Sequence, residues 1–435
     1  MEATLDKISA KEKFLSQFIG LEITPENEYL LKVRGEAQEA LNSLEFPTTK
    51  DEYWKYTRIG KILKGTYSQT PSFGVSDVEK FKIEGLEVNL LVFINGFFSE
   101  ELSEISEKEN IVIQPLAKAR KSHSDIIEKY FAKYTDHNKQ IFTALNTVYH
   151  TSGTFVYSKE NAAIEKPIHI INITNAESAA FNPRNLFIVG KNSEVKIISS
   201  YETIRGSSFT NSVTEIILHE NAHLSQYLLQ NESENSSQIN TTEVYQESNS
   251  NFNIHTITTN GLLVRNNLNI SLEGEHIETH LSGLHLTKGK QHVDNHTFVD
   301  HRQPNCQSNE LYKGIMNGKS TGVFNGKVMV RPHAQKTNAY QSNQNILLTD
   351  DASINSKPEL EIYADDVKCS HGSTTGQLDE EAKFYLRSRG LSEDSATKLL
   401  LNAFAEEVLR GIKLLPLREK IEKYIEERYE NIVAK

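Results

Sequence analysis

The sequence predicts a mainly β protein, with a long β-solenoid between two helical regions. Residues 153–377 contain short strand signals such as 168–173, 186–189 and 195–198, separated by turns rich in Asn, Ser and Gly. Similar turn segments begin at Asn192, Asn221 and Asn251, about 30 residues apart, which indicates a repeating coil. A sandwich or barrel is ordinarily shorter than this run of strands, so a solenoid is favoured.

The N-terminal region, residues 1–152, is predicted to be mainly helical. Apolar residues recur at helical spacing in 5–18 and 26–44, and Pro25 suits the start of the second helix. Residues 90–94 predict a strand that ends in the turn Asn95-Gly96. Helices are expected again over 115–134 and 139–149.

Three amphipathic helices are predicted in the C-terminal region, residues 378–435. Asp379 and Ser392 are N-cap candidates for the first two, and Gly390 follows the first. The expected apolar faces of the second and third helices consist of Ala396, Leu399, Leu400, Ala403, Phe404 and Val408, and of Leu417, Ile421, Tyr424, Ile425 and Ile432. Such helices can cap the end of a solenoid or bind a partner, and the sequence favours neither.

Composition excludes some classes of protein. A net charge of −11 over 435 residues argues against a general nucleic-acid binder. Two cysteines, Cys306 and Cys369, are too few for a disulfide framework and predict free thiols. With no secretory signal and no apolar run long enough to span a bilayer, we expect a cytoplasmic protein.

Three motifs suggest chemistry, and the sequence context argues against the first two. His219-Glu220-x-x-His223 matches a zinc-hydrolase pattern, which requires a helix, yet residues 214–218 predict a strand and 220–222 a turn. Gly318-Lys319-Ser320 lacks the upstream glycine of a phosphate-binding loop, so a surface turn is expected. A histidine-rich segment could bind a metal or simply decorate strands. It comprises His276, His280, His285, His292, His296 and His301.

The most informative segment is residues 360–372. If it forms one extended strand, Leu360, Ile362 and Ala364 face the core, and Cys369 and His371 share the outward face. A thiolate and an imidazole are competent iron ligands, but two ligands cannot hold a cluster alone. The remaining ligands of such a site must come from another chain or from bound sulfide. The alternative is a chance Cys and His on a strand.

Residues 331–409 resemble the core shared by the SufB and SufD families. The matching stretches are Ala334-x-x-Thr337, 344–348, 357–372 (KPELEIYADDVKCSHG), 376–381 and 384–390. Residues 285–330 are similar to the family as well, and the N-terminal region more weakly. Residues 52–57 (EYWKYT) and the low cysteine content resemble the SufD branch.

This resemblance implies a non-catalytic scaffold subunit for iron–sulfur cluster assembly, built on a right-handed parallel β-helix. It implies pairing with SufB through the β-helices and binding of the ATPase SufC through the C-terminal helices. A transient cluster at the SufB interface would involve Cys369 and His371, with no cofactor bound tightly by the isolated chain. A homodimer is possible in isolation. The residues expected at partner interfaces are Asp365, Asp366, Lys368, Phe384, Tyr385, Arg387, Arg389, Leu400 and Phe404.

Overall fold

The computed structural model describes residues 9–19, 27–68, 74–75, 77–106 and 109–433, without the side chains of 431–433. The fold is mainly β, with a parallel β-solenoid of about eight turns and helical N- and C-terminal regions. No helix in the described ranges is long and apolar enough to cross a membrane. The helices are α1 (Ala10–Leu15), α2 (Glu28–Ser43), α3 (Gly60–Lys64), α4 (Leu116–Ser122), α5 (Ser124–Tyr130), α6 (Ile141–Tyr149), α7 (Glu380–Ser388), α8 (Glu393–Leu409) and α9 (Leu415–Val433).

The strands form two facing sheets. The strands are β1 (Asn89–Ile94), β2 (Phe97–Glu104), β3 (Ile111–Pro115), β4 (Thr154–Ser158), β5 (Ile168–Phe181), β6 (Arg184–Val189), β7 (Glu194–Leu218), β8 (His223–Asn231), β9 (Ser237–Gln246), β10 (Asn251–Thr258), β11 (Leu263–Leu272), β12 (Glu278–Thr287), β13 (His292–His301), β14 (Gln307–Met316), β15 (Thr321–Val330), β16 (Asn338–Leu347), β17 (Ser353–Ile362) and β18 (Lys368–Gly376).

Each coil gives one strand to each sheet, and each strand pairs in parallel with the equivalent strand of the next coil. From the bend in β7 onward, the first sheet runs β7, β8, β10, β12, β14, β16, β18. The second runs β7, β9, β11, β13, β15, β17. Because the pairing is parallel and in register, equivalent side chains of successive coils stack in columns along the solenoid.

The coil turns explain the repeat seen in the sequence. At one corner of each coil, a single turn residue has a left-handed backbone, a conformation that asparagine tolerates better than most residues. These residues are Asn161, Asn192, Asn221, Asn249, His276, Asn305 and Lys336. The Asn192 amide donates to the Asn161 side chain at 2.9 Å, and Asn221 donates to Asn192 at 2.9 Å. In the next coil the turn residue is Asn249, so the repeat predicted to begin at Asn251 lies two residues too late.

The interior between the sheets changes along the solenoid. Its early and middle coils are filled by apolar side chains such as Val195, Ile197, Phe252 and Ile254. In the last coils the same inner positions carry polar groups, which are Glu310, Gln341, Asn343, Asn345 and Ser356. Burying polar groups is costly unless they are paired. Earlier coils also enclose some polar side chains, such as Gln226 on β8 and His285 on β12.

The N-terminal helices cover the first coils. Helices α1, α2 and α6 share one apolar cluster with Phe209 of the solenoid, and α4 and α5 share another with Leu186 and Ile217. Strand β1 ends in the turn Asn95-Gly96, as predicted, with φ values of 48° and 82°. The single helix predicted over 115–134 is wrong, because the chain breaks at His123 (φ −138°) between α4 and α5. Pro25 and residues 5–8 lie outside the described residues.

The C-terminal helices lie along the outer face of the first sheet and do not cap the solenoid end. Helices α8 and α9 form a cluster with outward-facing residues of β8, β10 and β12, including Tyr227, Ile257 and Leu284. Asp379 and Ser392 are the N-caps, as predicted, and Gly390 has φ +96° after α7. The predicted stripe of α8 is partly wrong. Leu401 and Ala405 are fully buried, whereas Leu399 is 48% exposed.

Candidate functional site

The solenoid is open at its C-terminal end. Strands β17 and β18 pair with β15 and β16, and no strand of the described chain pairs with their other edges. Most of their side chains are therefore accessible, in contrast with the equivalent positions of earlier coils. An exposed edge presents unpaired backbone N–H and C=O groups, which can pair with another chain.

The sequence predicted one extended strand over residues 360–372. This prediction is wrong, because the segment contains two strands joined by a turn. Strand β17 ends at Ile362, the chain turns through residues 363–367, and β18 starts at Lys368. The Tyr363 N–H donates to the Val330 carbonyl at 2.9 Å, and the Lys368 N–H to the Thr337 carbonyl at 2.9 Å. These bonds attach the turn to the preceding coil, so the motif crosses from one sheet to the other.

Cys369 and His371 do share one face of β18, two positions apart, as predicted. That face points into the solenoid, because the residues beside them on β16 are the buried Ala339 and Gln341. The expectation that they face away from the core was wrong, since it assumed a continuous strand. The pair is accessible because no further coil of the described chain covers β18.

The thiol of Cys369 is half-buried. It packs against the last apolar cluster of the interior, which comprises Val328, Val330, Ala334, Ala339 and Ala364. Burial raises the pKa of the Cys369 thiol from its ordinary value. The thiol form therefore dominates at neutral pH, and a metal ion or another positive group is needed to favour the thiolate. Cys306 is fully buried and its Sγ bonds the Gly274 carbonyl at 3.2 Å.

His371 is exposed at the end of the solenoid. A groove of about 420 Å³ lies on the outer face of the same sheet, where Tyr340 and His280 line it together with the backbone at His371. Asp365, Asp366 and Lys368 are exposed beside the pair, so the rim of the site carries both signs of charge. The backbone N–H of Asp366 donates to the Gln335 side chain at 2.9 Å, which orders the turn.

A second accessible surface lies on α7, which buries no side chain. Phe384 is 73% exposed and Tyr385 57% exposed. Arg389 stacks on the Tyr385 ring at 5.2 Å, and Arg387 lies 3.7 Å from Glu393. We call Phe384, Tyr385, Arg387 and Arg389 the α7 surface.

Leu400 and Phe404, expected at a partner interface, are half-buried on α8. The Lys313 ammonium lies 4.5 Å from the Phe404 ring centre and also pairs with Glu407 at 2.5 Å. Phe404 contributes to the cluster between α8 and the first sheet. The accessible part of the predicted C-terminal interface is therefore the α7 surface.

The zinc-hydrolase pattern does not form a metal site. His219 follows strand β7, Glu220 and Asn221 form a turn, and His223 begins β8, so the two imidazoles do not share a helix face. His219 is bound instead by the Tyr130 hydroxyl at 3.0 Å and Glu247 at 3.1 Å. Gly318-Lys319-Ser320 is a turn, as predicted, with Gly318 at φ +69°. Ser320 is buried and bonded to Thr287.

The histidines of 276–301 do not converge. His276 lies in a turn between coils. His285 and His301 are buried in the interior, where burial lowers the pKa of each to about 4. His296 lies on the outer face, 3.0 Å from Asp294. Across the described ranges, no three His, Cys, Asp or Glu side chains are arranged to hold a metal ion. Cys369 and His371 are consistent with this result, because they supply only two ligands.

Residues 52–57 bind the outer face of the second sheet, a role that sequence reasoning missed. Arg265 lies 3.8 Å from the Trp54 ring centre and forms a buried ion pair with Asp294 at 2.5 Å. The Thr57 hydroxyl donates to the same Asp294, and Glu52 pairs with Lys357 at 2.7 Å. The only available signal was the concentration of aromatic residues in a short polar segment.

Taken together, these features define a class of protein: a β-solenoid with helical flanking regions that presents a thiol and an imidazole at a free strand edge. The chain matches the family model "SUF system FeS cluster assembly, SufBD core domain" over residues 171–404 and "SufBD protein N-terminal region" over 22–170. The chain belongs to the SufBD family of iron–sulfur cluster assembly proteins.

Three relatives illustrate the match. An iron–sulfur cluster assembly SufBD family protein of Synechocystis is 34% identical over 91% of this chain and 90% of its own length. The iron–sulfur cluster assembly protein SufD of Escherichia coli is 27% identical over 89% and 90%. A chloroplastic protein of Arabidopsis thaliana is 28% identical over 91% and 85%.

Proposed function

We propose that this chain is a non-catalytic scaffold subunit that pairs with SufB and binds the ATPase SufC during cluster assembly. The observation that carries the proposal is the position of Cys369 and His371 at the open end of the solenoid. There the two side chains share one face, and unpaired strand edges surround them. A partner that covers this end meets both the edge and the ligands.

The proposed site is half a site. A thiolate and an imidazole satisfy two of the positions of a tetrahedral iron centre, so SufB or bound sulfide supplies the others. The nascent cluster is the cargo of this site, held at an interface that can open again. The same free edge explains why the isolated chain is expected to form a homodimer, with a second copy in place of SufB.

Changing His371→Ala or Cys369→Ala is expected to slow cluster formation on the reconstituted complex with SufB and SufC by about tenfold or more. Cluster formation is followed by visible absorption during iron and sulfide delivery. Both positions lie at the accessible end, so the thermal unfolding midpoint should stay close to that of the parent protein.

His223→Ala is the matched control, since His223 is an exposed histidine on β8 of the same sheet. It should assemble clusters at the parental rate. Parental rates in both the His371 and Cys369 variants would remove the site assignment and leave a structural partner of SufB.

The proposed surface for SufC is the α7 surface. Aromatic and arginine side chains dominate the binding energy of many interfaces, and here they are exposed on a helix that has no buried side chain of its own. The ion pairs Lys383–Glu393 and Arg387–Glu393 hold α7 beside α8 without covering the aromatic rings.

The double change Phe384→Ala and Tyr385→Ala is expected to weaken SufC binding by about 30-fold or more, equivalent to about 2 kcal/mol. Titration calorimetry with purified SufC measures the effect. Leu31→Ala, which removes an apolar side chain 58% exposed on α2, is the control and should bind normally. Equal affinity of the double variant and the parent protein would move the SufC surface away from α7.

A further inference from the structure

A column of polar side chains leads from the interior of the solenoid to His371. Glu310 on β14, Gln341 on β16 and His371 on β18 occupy equivalent positions of successive coils and are paired in register. All three belong to the inner face. Successive strands are about 4.8 Å apart, so neighbouring side chains of this column are within hydrogen-bonding reach.

Glu310 lies at the inner end of this column and is held in one position. Its carboxyl accepts from the Thr297 hydroxyl at 2.8 Å and from the Gln341 amide nitrogen at 3.2 Å, both at Oε2. Glu310 is 3% exposed, and burial raises the pKa of its carboxyl to about 7. Its position is therefore set by two bonds within the interior and by the surrounding packing.

Gln341 is held above Glu310 with its amide in one orientation. The facing residue on β15 is Gly326, and a Cβ there would overlap the Gln341 amide nitrogen. The missing side chain thus provides the space that the amide fills. With the nitrogen committed to Glu310, the carbonyl oxygen Oε1 is left as a free acceptor.

That acceptor has no partner in the described part of the chain, although Gln341 is only 3% exposed. An unpaired buried acceptor costs about 1–3 kcal/mol, so a donor at this point would be stabilising. His371 is the next residue of the column, and its imidazole carries an N–H when neutral.

We propose that Gln341, oriented by Glu310, is a positioning residue for His371 and accepts the N–H of one ring nitrogen. The other ring nitrogen is then deprotonated and turned toward the open end, in the form that a metal ion binds. Histidine ligands commonly donate their second nitrogen to such a partner, which fixes the tautomer and the ring orientation. The link to iron rests on the proposed function, whereas the hydrogen bond does not.

The test is ring-¹⁵N NMR of histidine-labelled protein as the isolated full chain, with no iron and no partner. The His371 signals are assigned by their loss in His371→Ala, and the exposed His223 gives the tautomer ratio of a histidine in water. In the parent protein, the ratio of the two neutral tautomers of His371 should differ from the His223 ratio by about fivefold. This factor is expected for one hydrogen bond of about 1 kcal/mol.

Gln341→Met keeps the chain length and removes the acceptor, so the His371 ratio should return to that of His223. In Gln341→Asn, the asparagine side chain is too short to reach both neighbours, so the same effect is expected. This variant replaces Gln341→Met in the test if the methionine variant does not fold. Gln344→Met is the control, because Gln344 is on the same strand with its side chain bonded to Ser342 on the outer face. It should leave the ratio unchanged.

A His371 tautomer ratio equal to that of His223 in the parent protein would overturn the proposal, as would an unchanged bias in both Gln341 variants. Failure of the proposed function has a different signature. In that case the tautomer bias is present and depends on Gln341, while His371→Ala still assembles clusters at the parental rate.

Discussion

Replacing Arg184 by methionine is expected to lower the free energy of unfolding by about 3–5 kcal/mol. Arg184 forms an ion pair with Glu215 at 2.5 Å, and both side chains are 0% exposed. The guanidinium also donates to the Thr147 and Thr135 hydroxyls of the N-terminal region and lies 4.7 Å from the Phe131 ring centre. Its removal leaves the Glu215 carboxylate buried with only two backbone donors.

Arg205→Met is the matched control. Arg205 is 67% exposed and lies 3.6 Å from Glu177, itself 81% exposed, so this pair contributes about 0–1 kcal/mol. Urea unfolding of the two variants at one pH compares the buried and the exposed pair directly. A loss for Arg184→Met no larger than for Arg205→Met would show that the N-terminal region does not depend on this ion pair.

Gly153→Ala is expected to cost at least about 4 kcal/mol or to prevent folding. Gly153 has φ +137°, where an L-residue is strained, and an added Cβ would overlap the carbonyl oxygen of Arg184. Its neighbours are backbone atoms of β6, so no side-chain movement can relieve the overlap. The Gly153 carbonyl also accepts from the Leu116 N–H at 2.8 Å, which links α4 to the start of the solenoid.

The control for this change is Gly372→Ala, where an added Cβ meets no atom within 4 Å and φ is not in the left-handed region. Soluble yield and the urea midpoint are the measurements. Gly372→Ala should match the parent protein in both. A folded Gly153→Ala protein with an unchanged midpoint would contradict the steric argument.

The architecture was predictable because the solenoid repeats its signals. Strand patterns recur in each coil and asparagine turns in most of them, and the caps Asp379 and Ser392 are local features of the sequence. The mainly β class and the two flanking helical regions are confirmed. The break at His123 was missed because the apolar spacing of α4 continues into α5, and only the backbone of one residue separates them.

The sequence predicted that Cys369 and His371 share a face, but it did not predict which way that face points. Alternation of side chains is valid within a strand, so the shared face of Cys369 and His371 followed from their spacing. Whether that face points inward or outward depends on the turn at 363–367, and no residue of that segment is a recognisable turn signal. The column below His371 is equally hidden, since Glu310, Gln341 and His371 are about 30 residues apart and meet only through register.

The absence of a cap on the last coil, among the described residues, has a thermodynamic consequence. In a solenoid each coil contacts only its neighbours, so stability is a sum of local terms and the chain can unzip from a free end. The coil that carries Cys369 and His371 has one such neighbour instead of two. Its release therefore requires much less free energy than global unfolding, and thermal fluctuations of this coil alone would open and close the shared site that we propose.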